Sequence, residues 1–187
     1  RVSVMTKIKI CGIQNTETAL TAAQAGTDLI GLVFVPGRRR CITTEKALEI
    51  ISTVKQEVAH IPKIVGIFAD QPISDVNRIV EACNLDMAQL CGQEPLEYCS
   101  EITVSVIKVL HIKKDTEKQM KSLKNHIENL QKERYLIILD RYVKGVHGGS
   151  GRPFDWEIAR HLSNEGWGFL LAGGLTPYNV VRAVNLV

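Results

Sequence analysis

Short apolar, β-rich runs alternate with longer segments of helical period along nearly the whole chain, and this alternation constrains the fold more than any other feature. Strands are expected at residues 7–12, 29–35, 63–69, 87–91, 104–109, 135–140 and 169–172. The segments between them are too long for hairpins, so successive strands should run parallel and be joined by crossover helices. Two runs, Leu29-Ile-Gly-Leu-Val-Phe-Val and Tyr135-Leu-Ile-Ile-Leu, are apolar without a break, as strands covered on both faces require. With 45% hydrophobic residues among 187, the chain has material for one core, and a single domain over 1–187 is expected.

Helix punctuation agrees with this reading. Gly26 can close the first helix, Thr43 can cap the second, and Thr176-Pro177 offers an N-cap with proline at the first helical position of the last. The charged segment 113–132 carries apolar residues at Met120, Leu123, Ile127 and Leu130, after Ile112, which fits an amphipathic helix with one solvated face.

An open dinucleotide-binding sheet would place G-x-G-x-x-G after its first strand, and Cys11-Gly-Ile-Gln-Asn-Thr stands there instead. A closed TIM-type (β/α) barrel is therefore the expected α/β architecture. A complete eightfold barrel takes about 200 residues or more. The eighth strand and helix are thus expected to be absent from these residues and the C-terminus incomplete. Met5 is a more natural start than Arg1, so residues 1–4 are read as a tag or an upstream segment.

Lysine and arginine total 23 against 20 acidic residues, scattered except at Arg38, Arg39 and Arg40, a balance that gives no case for nucleic acid. The five cysteines, at 11, 41, 83, 91 and 99, include no C-x-x-C pair, and a reducing cytoplasm is expected. The longest apolar runs fall well short of the roughly 20 residues that cross a bilayer.

Strand ends carry the candidate chemistry. In a barrel the C-terminal ends of the strands bear the active site. Cys11 ends the first expected strand, as a small buried hydrophobe or as a reactive thiol; Cys83 and Cys99, in helical segments, fit the former role. Asp140 ends the sixth, as a turn former or as an acid facing the same mouth. The glycine-rich stretch 145–151 is long enough to move over a site. Gly173 and Gly174 form either a tight turn or a cradle of backbone N–H groups for phosphate beside a helix N-terminus. The histidines at 60, 111, 126, 147 and 161 are expected in loops or helices, away from strand ends.

Taken together, Lys9-Ile-Cys-Gly-Ile, Gly31-Leu-Val-Phe with Arg40 beyond it, Gln89-Leu-Cys-Gly, Leu139-Asp140, Gly148-Gly-Ser-Gly-Arg-Pro-Phe-Asp-Trp156 and Leu171-Ala-Gly-Gly-Leu175 resemble phosphoribosylanthranilate isomerase, from about residue 7 onward. The resemblance implies an isomerase of tryptophan biosynthesis that converts N-(5'-phosphoribosyl)anthranilate to 1-(2-carboxyphenylamino)-1-deoxyribulose 5-phosphate by an Amadori rearrangement. It implies Cys11 as general base, Asp140 as general acid and Arg40 as ligand of the anthranilate carboxylate, with Arg38 and Arg39 solvated. It also implies substrate contacts from Gln89, Gly173 and Gly174, and no metal or cofactor.

The partner expected is a small phosphorylated molecule, not nucleic acid or a membrane, with fusion to or association with a neighbouring tryptophan-pathway enzyme as a further option. Where the family has Gln-Leu-His-Gly, this chain has Cys91, so a ring contact or orienting hydrogen bond is expected to be lost. Other phosphosugar barrels would want histidine ligands at strand ends, or a catalytic lysine with a carboxylate. A non-catalytic, phosphate-binding remnant is the alternative of a different class.

Overall fold

The computed structural model describes residues 6–112, 117–141 and 156–187. The chain divides into two compact units, 1–106 and 107–187.

The first unit contains β1 (Lys9–Cys11), α1 (Thr16–Gln24), β2 (Leu29–Val33), α2 (Thr44–Glu57), β3 (Lys63–Phe68), α3 (Ile73–Cys83), β4 (Met87–Leu90) and α4 (Leu96–Ser100). Its strands pair in chain order, each parallel to the next. Ile30, Leu32, Ile64, Phe68 and Leu90 from the strands, with Ile50, Val54 and Val76 from the helices, are almost wholly excluded from solvent. Phe34 and Phe68 stack with ring centroids 5.6 Å apart.

Side chains alternate between the faces of a strand, so Lys9 and Cys11 share one face of β1 while Ile8 and Ile10 take the other, where both are exposed. At the opposite ends of the strands, Asp28 accepts from the Ile8 amide at 2.8 Å and Asp86 from the Ile64 amide at 2.7 Å. Each carboxylate thus satisfies a backbone donor where its strand begins.

β5 (Ser105–Ile112) begins at the boundary and leads into the second unit, followed by α5 (Glu117–Lys132), β6 (Leu136–Arg141), α6 (Trp156–Asn164), β7 (Leu170–Leu171) and α7 (Val180–Leu186). β6 lies parallel between β5 and β7. Ile112, Ile127, Leu130, Ile137, Leu139, Ile158 and Leu162 form its core, with Met120 and Leu123 packed against it. The expected amphipathic helix is therefore present with its apolar stripe buried. No helix among the described residues is long and apolar enough to cross a membrane.

Two caps are where the local chemistry puts them. Thr43 accepts from the Lys46 amide at 3.2 Å, and Gly26 follows α1 with φ +85°, a conformation that costs glycine little. The third expectation needs correction. Thr176-Pro177 lies in a turn and α7 begins only at Val180; within the turn the Asn179 side chain takes the Thr176 amide at 2.7 Å and donates to the Gly174 carbonyl at 2.9 Å, and the Thr176 carbonyl accepts from the Val180 amide at 3.0 Å.

His111 is also corrected. It belongs to β5, not to a loop or helix, because pairing with β6 carries β5 three residues past its expected end and sets His111 beside Asp140 in register. His126 and His161 lie in helices, His60 lies between α2 and β3, and His147 is outside the described residues.

Candidate active site

Cys11 is the last residue of β1 and is partly exposed. The chain turns at once: Gly12 has φ +84°, and the amides of Gly12 and Ile13 both donate to the Gly31 carbonyl, at 2.8 and 3.1 Å. These two hydrogen bonds to one acceptor fix where β1 stops and hold the cysteine at the end of the strand.

Arg40 closes over the turn. The loop after β2 returns to the sheet through the Ile42 amide, which donates to the Val33 carbonyl at 2.9 Å. That anchor sends the Arg40 side chain back across Gly12, where Nη1 donates to the Cys11 carbonyl at 2.6 Å. A side chain at position 12 would collide with the Arg40 Cδ and guanidinium. Glycine is thus required twice, by its φ and by the cation lying on it. Arg39 is exposed, as expected, whereas Arg38 is half-buried.

Gln89 and Cys91 lie two residues apart on β4 and just beyond it. Gln89 is buried, and its Nε2 donates to Cys91 Sγ at 3.2 Å. Its Oε1 has no partner among the described residues, leaving one acceptor for an incoming donor. Burial pushes the Cys91 thiol up to about 12; the Gln89 hydrogen bond and Lys9 act against burial, while Cys11 and Glu94 add to it. At neutral pH Cys91 is therefore a neutral thiol that cannot serve as a base.

A carboxylate latch that sequence reasoning missed holds this loop. Glu94, itself buried, accepts from the amides of Asp70 at 2.9 Å and Gly92 at 3.1 Å, and Asp70 accepts from the Gln93 amide at 2.6 Å. Tyr98 donates to the Gln71 carbonyl at 2.8 Å. The loops after β3 and β4 are thus tied together directly above the strand that carries Gln89. No motif announces this, because the bonds that join the two loops link residues more than twenty positions apart.

In the second unit Asp140 is buried near the end of β6. Ile137 and Leu139 pack into the helix-facing core, so strand alternation puts Asp140 on the opposite face. His111 is its register neighbour on that face. Gly173 and Gly174 follow β7 with φ +87° and +71°, and Asn179 pins their loop. The expected helix N-terminus does not adjoin them, since α7 starts six residues on. The glycine-rich stretch 145–151 and most of the motif that continues to Trp156 lie outside the described residues; Trp156 itself is buried at the start of α6.

Comparison with known proteins places this arrangement. Residues 8–187 match the family model described as N-(5'phosphoribosyl)anthranilate (PRA) isomerase. The N-(5'-phosphoribosyl)anthranilate isomerase of Dehalococcoides mccartyi is 40% identical over 184 residues, covering 97% of this chain and 82% of that protein. Among solved structures, phosphoribosyl anthranilate isomerase from Thermotoga maritima superposes with a TM-score of 0.80 at 31% identity, over 98% of this chain and 84% of that one. A phosphoribosyl anthranilate isomerase in complex with reduced 1-(o-carboxyphenylamino)-1-deoxyribulose 5-phosphate matches with a TM-score of 0.77 at 31% identity, over 98% and 83% of the two chains. The alternation of parallel strands and helices is accordingly consistent with a TIM-type α/β fold. On sequence and on structure alike, the chain belongs to the N-(5'-phosphoribosyl)anthranilate isomerase family.

Proposed function

We propose that this enzyme carries out the isomerase step of tryptophan biosynthesis with Cys11 as general base and Asp140 as general acid. The observation that carries the reading is a cysteine held at the end of β1 by a glycine turn, with an arginine folded over it, in a chain matching the isomerase family over residues 8–187.

The rearrangement of N-(5'-phosphoribosyl)anthranilate needs two proton transfers. The acid protonates the furanose ring oxygen as the C1–O bond breaks with its electron pair going to oxygen, and the amine lone pair forms the C1=N iminium. The base then removes the C2 proton, and the C2–H pair becomes the C1=C2 bond while the C1=N pair returns to nitrogen. Tautomerisation of this enol yields the ketone. Asp140 supports the first role as a buried carboxyl on the face turned away from the helices, and Cys11 the second as an accessible thiol.

The remaining roles follow from donors and acceptors. Arg40 spends one N–H on the Cys11 carbonyl and keeps others for the anthranilate carboxylate, to which a planar guanidinium is matched. The unpartnered Oε1 of Gln89 suits a substrate hydroxyl. Gly173 and Gly174, with no side chains and pinned backbone, suit the phosphate.

The test is turnover of N-(5'-phosphoribosyl)anthranilate by Cys11→Ser and Asp140→Asn. Each is expected to lose about 10²- to 10⁴-fold in kcat, with urea unfolding unchanged. A near-wild-type rate in either variant removes that residue from the mechanism.

A further inference from the structure

The charged and titratable groups around Cys11 in the first unit are few. Arg40 commits Nη1 to the Cys11 carbonyl, Cys91 is a neutral thiol, and the Glu94 carboxylate behind it is occupied by two backbone amides. A second cation among the described residues of this unit is Lys9, two residues before Cys11 on the same face of β1.

Its place is specific. Lys9 folds across to β2, over Gly31, where a side chain would meet Lys9 Nζ at 3.0 Å and Cys11 Cα at 3.2 Å. The ammonium thus lies where a side chain at position 31 would go, beside the Cys11 backbone and Ile67 Cδ1. No carboxylate pairs with Lys9 among the described residues, although Lys7, one pleat earlier, pairs with Asp28. Cys91 senses both neighbours, Lys9 drawing its thiol down and Cys11 pushing it up, so the three occupy one electrostatic environment. A half-buried cation with no carboxylate partner among the described residues is best placed where negative charge must appear.

We propose that Lys9 is a positioning residue that acts through Cys11: its ammonium favours the thiolate that accepts the C2 proton. The proposal rests on Cys11 being the base. In the step itself the proton moves from C2 to Sγ, the C–H electron pair forms the C1=C2 bond as the C1=N pair returns to nitrogen, and Lys9 keeps its proton throughout. Thiolates beside cations form more readily than isolated ones.

The test measures the thiol directly, without substrate. Iodoacetamide is added to the full chain between pH 6 and 10, and the alkylation rate of Cys11 is read by peptide mass mapping, which separates it from Cys41. Lys9→Gln and Lys9→Met should slow Cys11 alkylation at pH 7 about tenfold. Lys9→Arg should restore it. In turnover of N-(5'-phosphoribosyl)anthranilate, kcat should fall in parallel with KM changed less than twofold.

Unchanged Cys11 alkylation in both neutral variants overturns the proposal, as does a raised KM with kcat retained, which would make Lys9 a substrate ligand. If Cys11→Ser turns over normally, the reading of Cys11 as base has failed instead, and the alkylation data still report on whether Lys9 and Cys11 are coupled.

Discussion

Replacing Gly12 by alanine should damage this protein in two separable ways, and a double-mutant cycle with Arg40 can part them. The first cost is backbone: φ is +84° at Gly12, and an L-residue there pays roughly 1–2 kcal/mol. The second is steric, because the new methyl meets the Arg40 side chain, with Cδ and Cζ each at 2.6 Å. Arg40 must then move away and surrender its 2.6 Å bond to the Cys11 carbonyl. A hydrogen bond from a charged donor is worth about 1.5–3 kcal/mol, and a partly exposed one sits at the low end.

Gly12→Ala alone should therefore cost about 3 kcal/mol in urea unfolding, but only about 1–2 kcal/mol when added to Arg40→Ala, where the obstacle is gone. The coupling expected is roughly 1–2 kcal/mol, well above the ~0.5 kcal/mol scatter of independent sites. In turnover, Gly12→Ala should resemble Arg40→Ala, since both take the guanidinium from its place. Additive stabilities within that scatter would refute the argument that Gly12 is there for Arg40.

Three further outcomes are expected. Arg40→Ala should raise KM for N-(5'-phosphoribosyl)anthranilate far more than Arg39→Ala, because Arg39 is exposed while Arg40 bonds to Cys11; equal effects would mean a diffuse positive field. Glu94→Ala should cost about 2–3 kcal/mol in urea unfolding by stranding the Asp70 and Gly92 amides, and Glu94→Gln, which keeps an acceptor, should cost less. Cys91 ionises in the unfolded chain near its ordinary value but only at about 12 in the folded one, so the unfolded state binds fewer protons in between. Stability should fall as pH rises from about 9 toward 12, with a slope of up to about 1.4 kcal/mol per pH unit from this thiol. Urea unfolding of Cys91→Ala should lack that component of the slope.

What the sequence determined by itself is what short-range chemistry controls. The alternation of apolar runs with helical segments located all seven described strands to within a few residues, since period and turn residues act over neighbours in the chain. Thr43 and Gly26 cap as read, because a cap is closed by an amide three residues away or by a single φ. Cys11, Arg40, Gln89 and Asp140 were picked out as a set by resemblance, and each sits at or beside the C-terminal end of a strand.

Tertiary structure decided the rest. His111 was misplaced because the apolar run ends at Leu110, and only backbone pairing with β6 extends the strand past it. Thr176 does not cap α7 because the chain makes a separate turn from Thr176 to Asn179 before the helix begins at Val180, a choice between local alternatives that propensity does not rank. Lys9 over Gly31, Arg40 over Gly12, and the Asp70–Glu94 latch all join residues twenty or more positions apart. Such contacts depend on strand register and on the path of loops, which are set by burial summed over the whole unit and leave no periodic trace in the chain.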